Sequence, residues 1–153
     1  MKYHFISIGN SLTSFEKSWL DVYLTRLKAF FEIQHTHVKD KIEKSNDRDD
    51  AKYVAWIQKL ISKEPFLITL DEKGKNFTTK DLFSFLENQE ITHKQITFLI
   101  GGSYGLPRKI VAQANANLSL SQMTFPHKMA LLMIVEQIYR CVTLKKKIPY
   151  HHE

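Results

Sequence analysis

Several things this chain lacks narrow what it can be. Its 153 residues include one cysteine, so no disulfide within the chain can hold the fold, and the setting of Cys141 among Ile138, Val142 and Leu144 assigns it to a core. No apolar run approaches the ~20 residues that cross a bilayer. The opening Met1-Lys2-Tyr3-His4 leads into FISIG, a strand pattern rather than the apolar core of a signal peptide, so the expected location is the cytoplasm. Missing too are the GK[ST] of a P-loop and the GxGxxG of a dinucleotide fold. No internal repeat is visible. His35 and His37 share one face of an alternating segment at a spacing that can ligate a metal, but no third ligand follows at a recognisable distance, and no metal is expected.

Acidic residues are scarce in one region only. Residues 1–90 carry 14 Lys/Arg against 14 Asp/Glu, whereas residues 91–153 carry 8 against 2, so the formal charge of +6 lies wholly in the last 63 residues. Arg140, Lys145, Lys146 and Lys147 concentrate it near the end. A one-sided basic region attracts polyanions and marks candidate nucleic-acid surfaces. The same run also reads as a solvated, solubilising terminus.

The length suits one domain over residues 1–153, since a chain of this size buries roughly 68–70% of its unfolded surface. Strand and helix patterns alternate. Tyr3 to Ile8 reads as a strand closed by Gly9-Asn10, Leu12 to Phe31 as an amphipathic helix, and Glu32 to Val38 as a second strand. The mixed-charge DKIEKSNDRDD of residues 40–50 reads as a loop, followed by a helix with Val54, Ile57, Leu60 and Ile61 inward. FLITLD is a third strand with the turn EKGK beyond it, and Thr78-Thr79-Lys80-Asp81 fits a capping box opening the next helix. This order predicts an α/β fold, a mostly parallel sheet with helices on both faces.

The chain's organising stretch runs from Ile96 to His127. Ile96 to Ile100 reads as a buried strand stopped by Gly101-Gly102, and Pro107 opens a short helix through Ala116. Leu118 to Leu120 reads as a brief strand, and Ser119 to Pro126 as a loop whose backbone groups, thioether and aromatic ring suit a flat ligand. Glycine turns at strand carboxyl ends are where open α/β sheets bind ligands; a turn with no ligand uses the same residues. Lys128 to Leu144 is the last helix, apolar without a break from Met129 to Val135. A helix apolar on all sides seeks cover on all sides, which predicts a symmetric dimer. His127 reads as a helix-start residue satisfying backbone groups.

FLIGGSYGL, LSLSQMTFPHKM, EQIYR and the closing IPYHHE resemble the successive signatures of the ribosomal large-subunit methyltransferase H family, of the SPOUT class. FISIGN and TLDEKGKNFTT fall in the same order, so the likeness spans the chain. The resemblance implies a five- or six-stranded α/β sheet with a C-terminal trefoil knot. It also implies a homodimer that uses S-adenosylmethionine to methylate N3 of a pseudouridine in 23S rRNA, within the assembled ribosome. The implied cofactor contacts are Leu70, Gly101, Leu120, Ser121, Gln122, Met123, Thr124 and Phe125. Two positions depart from the pattern: Leu131 stands where the family usually has arginine, and the penultimate residue, often basic there, is His152.

Methyl transfer from a sulfonium to a ring nitrogen asks the protein for in-line positioning and removal of the N3 proton. On the resemblance, Tyr150 and His151 of one subunit's tail reach the cofactor held by the other. His151 is the candidate general base from its ordinary pKa of about 6.5. Arg140 would hold a phosphate or orient the nucleotide, and Lys145 to Lys147 would add salt-sensitive RNA affinity. The competing class is a non-catalytic RNA-binding α/β module.

Overall fold

The computed structural model describes residues 1–43 and 46–152; Lys44 and Ser45 in the expected loop, and Glu153 of the closing motif, lie outside the described residues. Five strands form one sheet in the order β2-β1-β4-β3-β5, with every pairing parallel. These are β1 (Lys2–Ile8), β2 (Glu32–Val38), β3 (Leu67–Asn76), β4 (Gln95–Ile100) and β5 (Ala116–Ser119). Helices α1 (Ser14–Lys28), α2 (Ala51–Leu60), α3 (Thr79–Thr92), α4 (Arg108–Gln113) and α5 (His127–Lys146) connect and cover them.

Strand alternation divides the core into two layers. Tyr3, Phe5, Ile68, Ile96, Phe98 and Ile100 face α1, α3 and α5, whereas Ile6, Ile8, Leu67 and Leu99 face α2 and α4. Burial on both faces is why these strands read as near-continuous apolar runs. Cys141 is buried in the first layer, and burial pushes its thiol pKa up to about 12, which suits packing and not nucleophilic attack.

Local chemistry sets the helix ends. Thr13 caps α1 in a capping box with Glu16, so the helix begins at Ser14 rather than at Leu12. Thr78 and Asp81 form the expected box at α3. α4 stops at Gln113, three residues short of the expected Ala116, because Ala116 has joined β5.

The largest difference from the sequence reading is in β3. EKGK is not a turn beyond the strand. β3 continues to Asn76, and Leu70 and Lys75 both sit opposite Leu118, so residues 71–74 leave the ladder as a bulge. Gly74 permits it, since a Cβ there would lie 2.8 Å from the backbone of Asn117.

α5 also departs from expectation. Leu131, Leu132, Ile134 and Val135 are all buried in the chain's own first layer, so most of its apolar run is covered without a second copy, and Met129 at its start is left exposed. The departure at Leu131 is therefore a core side chain, 1% exposed, at a place where an arginine would have to bury its charge. The exposed apolar stripe belongs instead to α1, where Phe15, Trp19 and Val22 recur at helical spacing, with Phe15 75% exposed. Lys128 ties the start of α5 to the Ser11 carbonyl and the Glu16 carboxylate, which brings exposed Met129 to the same end of the molecule.

Candidate active site: a cleft and a separate tail cluster

A cleft of about 690 Å³ opens at the carboxyl ends of β4 and β5 and beside the β3 bulge, within the range of small-molecule sites and at the rim where parallel sheets bind ligands. Three chain segments build it. The β3 bulge supplies Leu70, Asp71, Glu72 and Lys73, and the glycine turn after β4 supplies residues 101–105. The segment after β5 adds Leu120, Ser121, Met123, Thr124 and Phe125. Leu118 and Ile100, each 2% exposed, form an apolar floor.

Gly101 is needed there because a Cβ would lie 2.9 Å from the Gly105 carbonyl carbon and from Leu106 Cγ. The segments are bonded to one another. Thr124 donates its hydroxyl to Glu72 Oε2 at 2.7 Å, joining the third segment to the bulge, and Asn76 Nδ2 donates to the Ser119 carbonyl and hydroxyl. The Ser121 hydroxyl accepts from the Met123 amide, setting the bend between them. Of the eight residues implied as cofactor contacts, seven line the cleft; Gln122 is exposed and is not part of the lining.

The three residues expected to do chemistry stand elsewhere, together. Glu136 Oε1 accepts from Arg140 Nη2 at 2.6 Å and from the Tyr150 hydroxyl at 2.9 Å. The Tyr150 hydroxyl also lies 3.2 Å from that of Tyr23, and the Arg140 guanidinium sits 4.8 Å from the centre of the Tyr150 ring. Arg140 Nη1 is 3.3 Å from His151 Nδ1. A guanidinium only donates, so Nδ1 accepts and the neutral ring carries its proton on Nε2. Burial raises the Tyr150 pKa, with the Tyr23 and Glu136 contacts adding to the rise. Burial works to lower that of Arg140, but the Glu136 hydrogen bond and charge outweigh it and the net shift is upward. No member of this cluster lines the cleft of its own chain.

The sequence reading missed Glu136 and Tyr23 as partners of the tail. It placed Glu136 in EQIYR, but nothing in a sequence joins Tyr23 to a residue 127 positions away. It also assigned all three terminal lysines to RNA, whereas Lys145 pairs with Glu90 at 2.8 Å and Glu87 at 3.5 Å. His127 lines the cleft without satisfying backbone groups; its ring packs against Gly9, with Nε2 buried and without a hydrogen-bond partner among the described residues. His35 and His37 both bond the Ser7 hydroxyl, and His37 also bonds the Asn10 carbonyl. Among the described residues no group of three or more candidate ligands could hold a metal, and no helix is long and apolar enough to cross a membrane.

The family described as “Predicted SPOUT methyltransferase” matches residues 1–151. The chain belongs to the SPOUT methyltransferases. Within them it is 37% identical over 153 residues to the ribosomal RNA large subunit methyltransferase H of Dictyoglomus thermophilum, covering 99% of this chain and 100% of that protein. It is 36% identical over 151 residues to the protein of the same name from Prochlorococcus marinus strain NATL1A, covering 99% and 96%. The family likeness read from the motifs is thus confirmed over essentially the whole chain. Among solved structures, a probable methylase family protein from Haemophilus influenzae shares the fold at a TM-score of 0.58 and 11% identity, over 99% of this chain and 71% of that one. A probable methyltransferase from Bordetella pertussis gives 0.58 at 9% identity, over 92% and 95%. Catalysis of methyl transfer follows from the family; the non-catalytic RNA-binding alternative does not fit it.

Proposed function

We propose that this SPOUT enzyme transfers the methyl group of S-adenosylmethionine to N3 of a pseudouridine in the 23S rRNA of cytoplasmic large ribosomal subunits. It would work as a homodimer in which one chain's tail serves the other chain's cleft. The observation that carries the composite site is the separation of Arg140, Tyr150 and His151 from the cleft of their own chain. The exposed Phe15, Trp19 and Val22 stripe offers an isologous surface for the second copy. The trefoil threading implied by the family belongs to the same reading.

The residues of the cleft fit an adenosyl ligand. Ile100, Leu118 and Leu120 give an apolar slab for a purine, the bulged backbone of residues 71–74 has left the ladder and can bond ring edges, and Asp71 and Glu72 are placed to accept from ribose hydroxyls. When bound, the cofactor supplies an activated methyl group on a sulfonium. The chain's own work is to hold that group in line with the target nitrogen, exclude water, and take a proton. Positioning of this kind contributes roughly 7–11 kcal/mol to a barrier.

In the tail cluster Arg140 occupies the His151 lone pair. His151 therefore becomes a base only when Arg140 turns from Nδ1 to another acceptor, and a nucleotide phosphate is the acceptor a guanidinium prefers. Substrate docking would thus free the base that acts on it. The test is labelled methyl transfer to large subunits lacking the modification, using His151→Ala and Tyr150→Phe. Loss of transfer with cofactor affinity retained is the expected result, and undiminished transfer by both variants contradicts the catalytic roles.

A further inference from the structure

Phe125 and Tyr104 both line the cleft, and they differ in where they face. Phe125 is half-buried, whereas Tyr104 is 48% exposed at the open lip. Tyr104 stands on a turn that is held in place: Gly102 and Gly105 form an antiparallel bridge, with the Gly105 amide bonded to the Gly102 carbonyl at 3.0 Å. The Arg48 guanidinium crosses from the mixed-charge loop and donates to the Tyr104 carbonyl at 3.3 Å. The neighbouring Asp49 accepts from the Arg108 amide and Nε, both at 2.8 Å, fastening the same loop to the start of α4. A large ring on a braced turn that leaves about half its surface to solvent keeps apolar area free for a partner. Arg48 also lines the cleft, and among the described residues its guanidinium bonds the Tyr104 carbonyl through Nη1 only, which leaves further N–H donors for an anion.

We propose that Tyr104 stacks on a base of the substrate RNA and that Arg48 contacts a phosphate beside it, so that the glycine turn presents the RNA-side lip of the cleft. The inference rests on the methyltransferase reading and adds a substrate contact drawn from this chain's own residues. An aromatic ring with a cation next to it is how proteins hold unstacked nucleotides, through base stacking and backbone charge. The adenine of the cofactor is the other ring Tyr104 could meet. The geometry favours RNA, because the apolar slab suited to a purine lies at the buried floor formed by Ile100 and Leu118, whereas Tyr104 faces solvent, from which the RNA arrives.

Direct binding separates the possibilities, because it needs no turnover. The affinity of wild-type and variant protein for large ribosomal subunits lacking the modification is measured by fluorescence, and that for S-adenosylmethionine by calorimetry. Tyr104→Ala should weaken subunit binding by about 5- to 150-fold, the range for loss of one stacked base, with cofactor affinity within about twofold of wild type. Tyr104→Phe should restore subunit binding. Arg48→Gln should lower the slope of log affinity against log salt by about 1. Unchanged subunit binding by Tyr104→Ala overturns the proposal, as does a loss of cofactor affinity as large as the loss for subunits. If wild type fails to bind S-adenosylmethionine while Tyr104→Ala still weakens subunit binding, the RNA contact stands and the methyltransferase reading falls.

Discussion

The cleft and the tail cluster are made in opposite ways. The cleft is shaped by backbone: a bulge in β3, a glycine turn after β4 and a bonded bend after β5, with side chains contributing mainly an apolar floor. The tail cluster is shaped by side chains, since Glu136 alone accepts from both Arg140 and Tyr150. A backbone site tolerates changes in its lining and fails when a Cβ is added at a close approach. A side-chain site tolerates backbone drift and fails when one charge is removed. The two halves of one reaction should therefore break under different substitutions.

The largest effect is expected at Gly101. Gly101→Val puts atoms where Gly105 and Leu106 already lie, and should lower S-adenosylmethionine affinity by about 100-fold or more in calorimetry, since overpacking here cannot relax without moving the turn. Next is Glu136→Ala, which leaves Arg140 and Tyr150 without their shared acceptor. The methyl-transfer rate should fall by about 10²-fold, the scale of a misplaced acid–base group, with cofactor affinity unchanged. Equal loss of cofactor binding would erase the distinction between the halves.

A smaller effect sharpens the comparison by separating the copies. Trp19→Asp on the exposed α1 stripe should shift the protein from dimer to monomer in sedimentation at micromolar concentration and cut transfer while the cleft still binds cofactor. A dimer that survives this change would place the interface elsewhere.

The smallest concerns pH and neither half directly. Burial, then the charges of His37 and His4, depress the His35 pKa to about 4, against the opposing pull of Asp21. Its folded value lies below the unfolded 6.5, so its stability contribution is complete above about pH 6.5 and is lost as pH falls towards 4. The urea midpoint should decline through that window, and His35→Gln should flatten the decline.

What the sequence disclosed follows the same division. Strands buried on both faces read as apolar runs, and Gly101-Gly102 with the segment from Leu120 to Phe125 announced a rim, because special backbone needs special residues. The bulge at residues 71–74 escaped because KGK reads equally as a turn, and only the pairing of Leu118 with both Leu70 and Lys75 reveals it. The α1 cap was readable in Thr13-x-x-Glu16 and was passed over. The apolar run in α5 is a poor guide to association, since periodicity cannot say whether a helix is covered by its own chain or by another. The partnership of Tyr23, Glu136 and Tyr150 is a long-range matter that no local pattern encodes. Threading through a knot is equally invisible to periodicity, and general rules of chain connection argue against it.

A complementation assay tests most directly whether cleft and tail from different copies make one site. Gly101→Val, with a ruined cleft and an intact tail, and His151→Ala, with an intact cleft and a ruined tail, are each inactive on this account. Co-expressed and isolated as mixed dimers through two affinity tags, they should recover about half of wild-type methyl transfer, one working site of two. Mixed dimers as inactive as either parent would mean that each tail serves its own cleft, and would contradict the account.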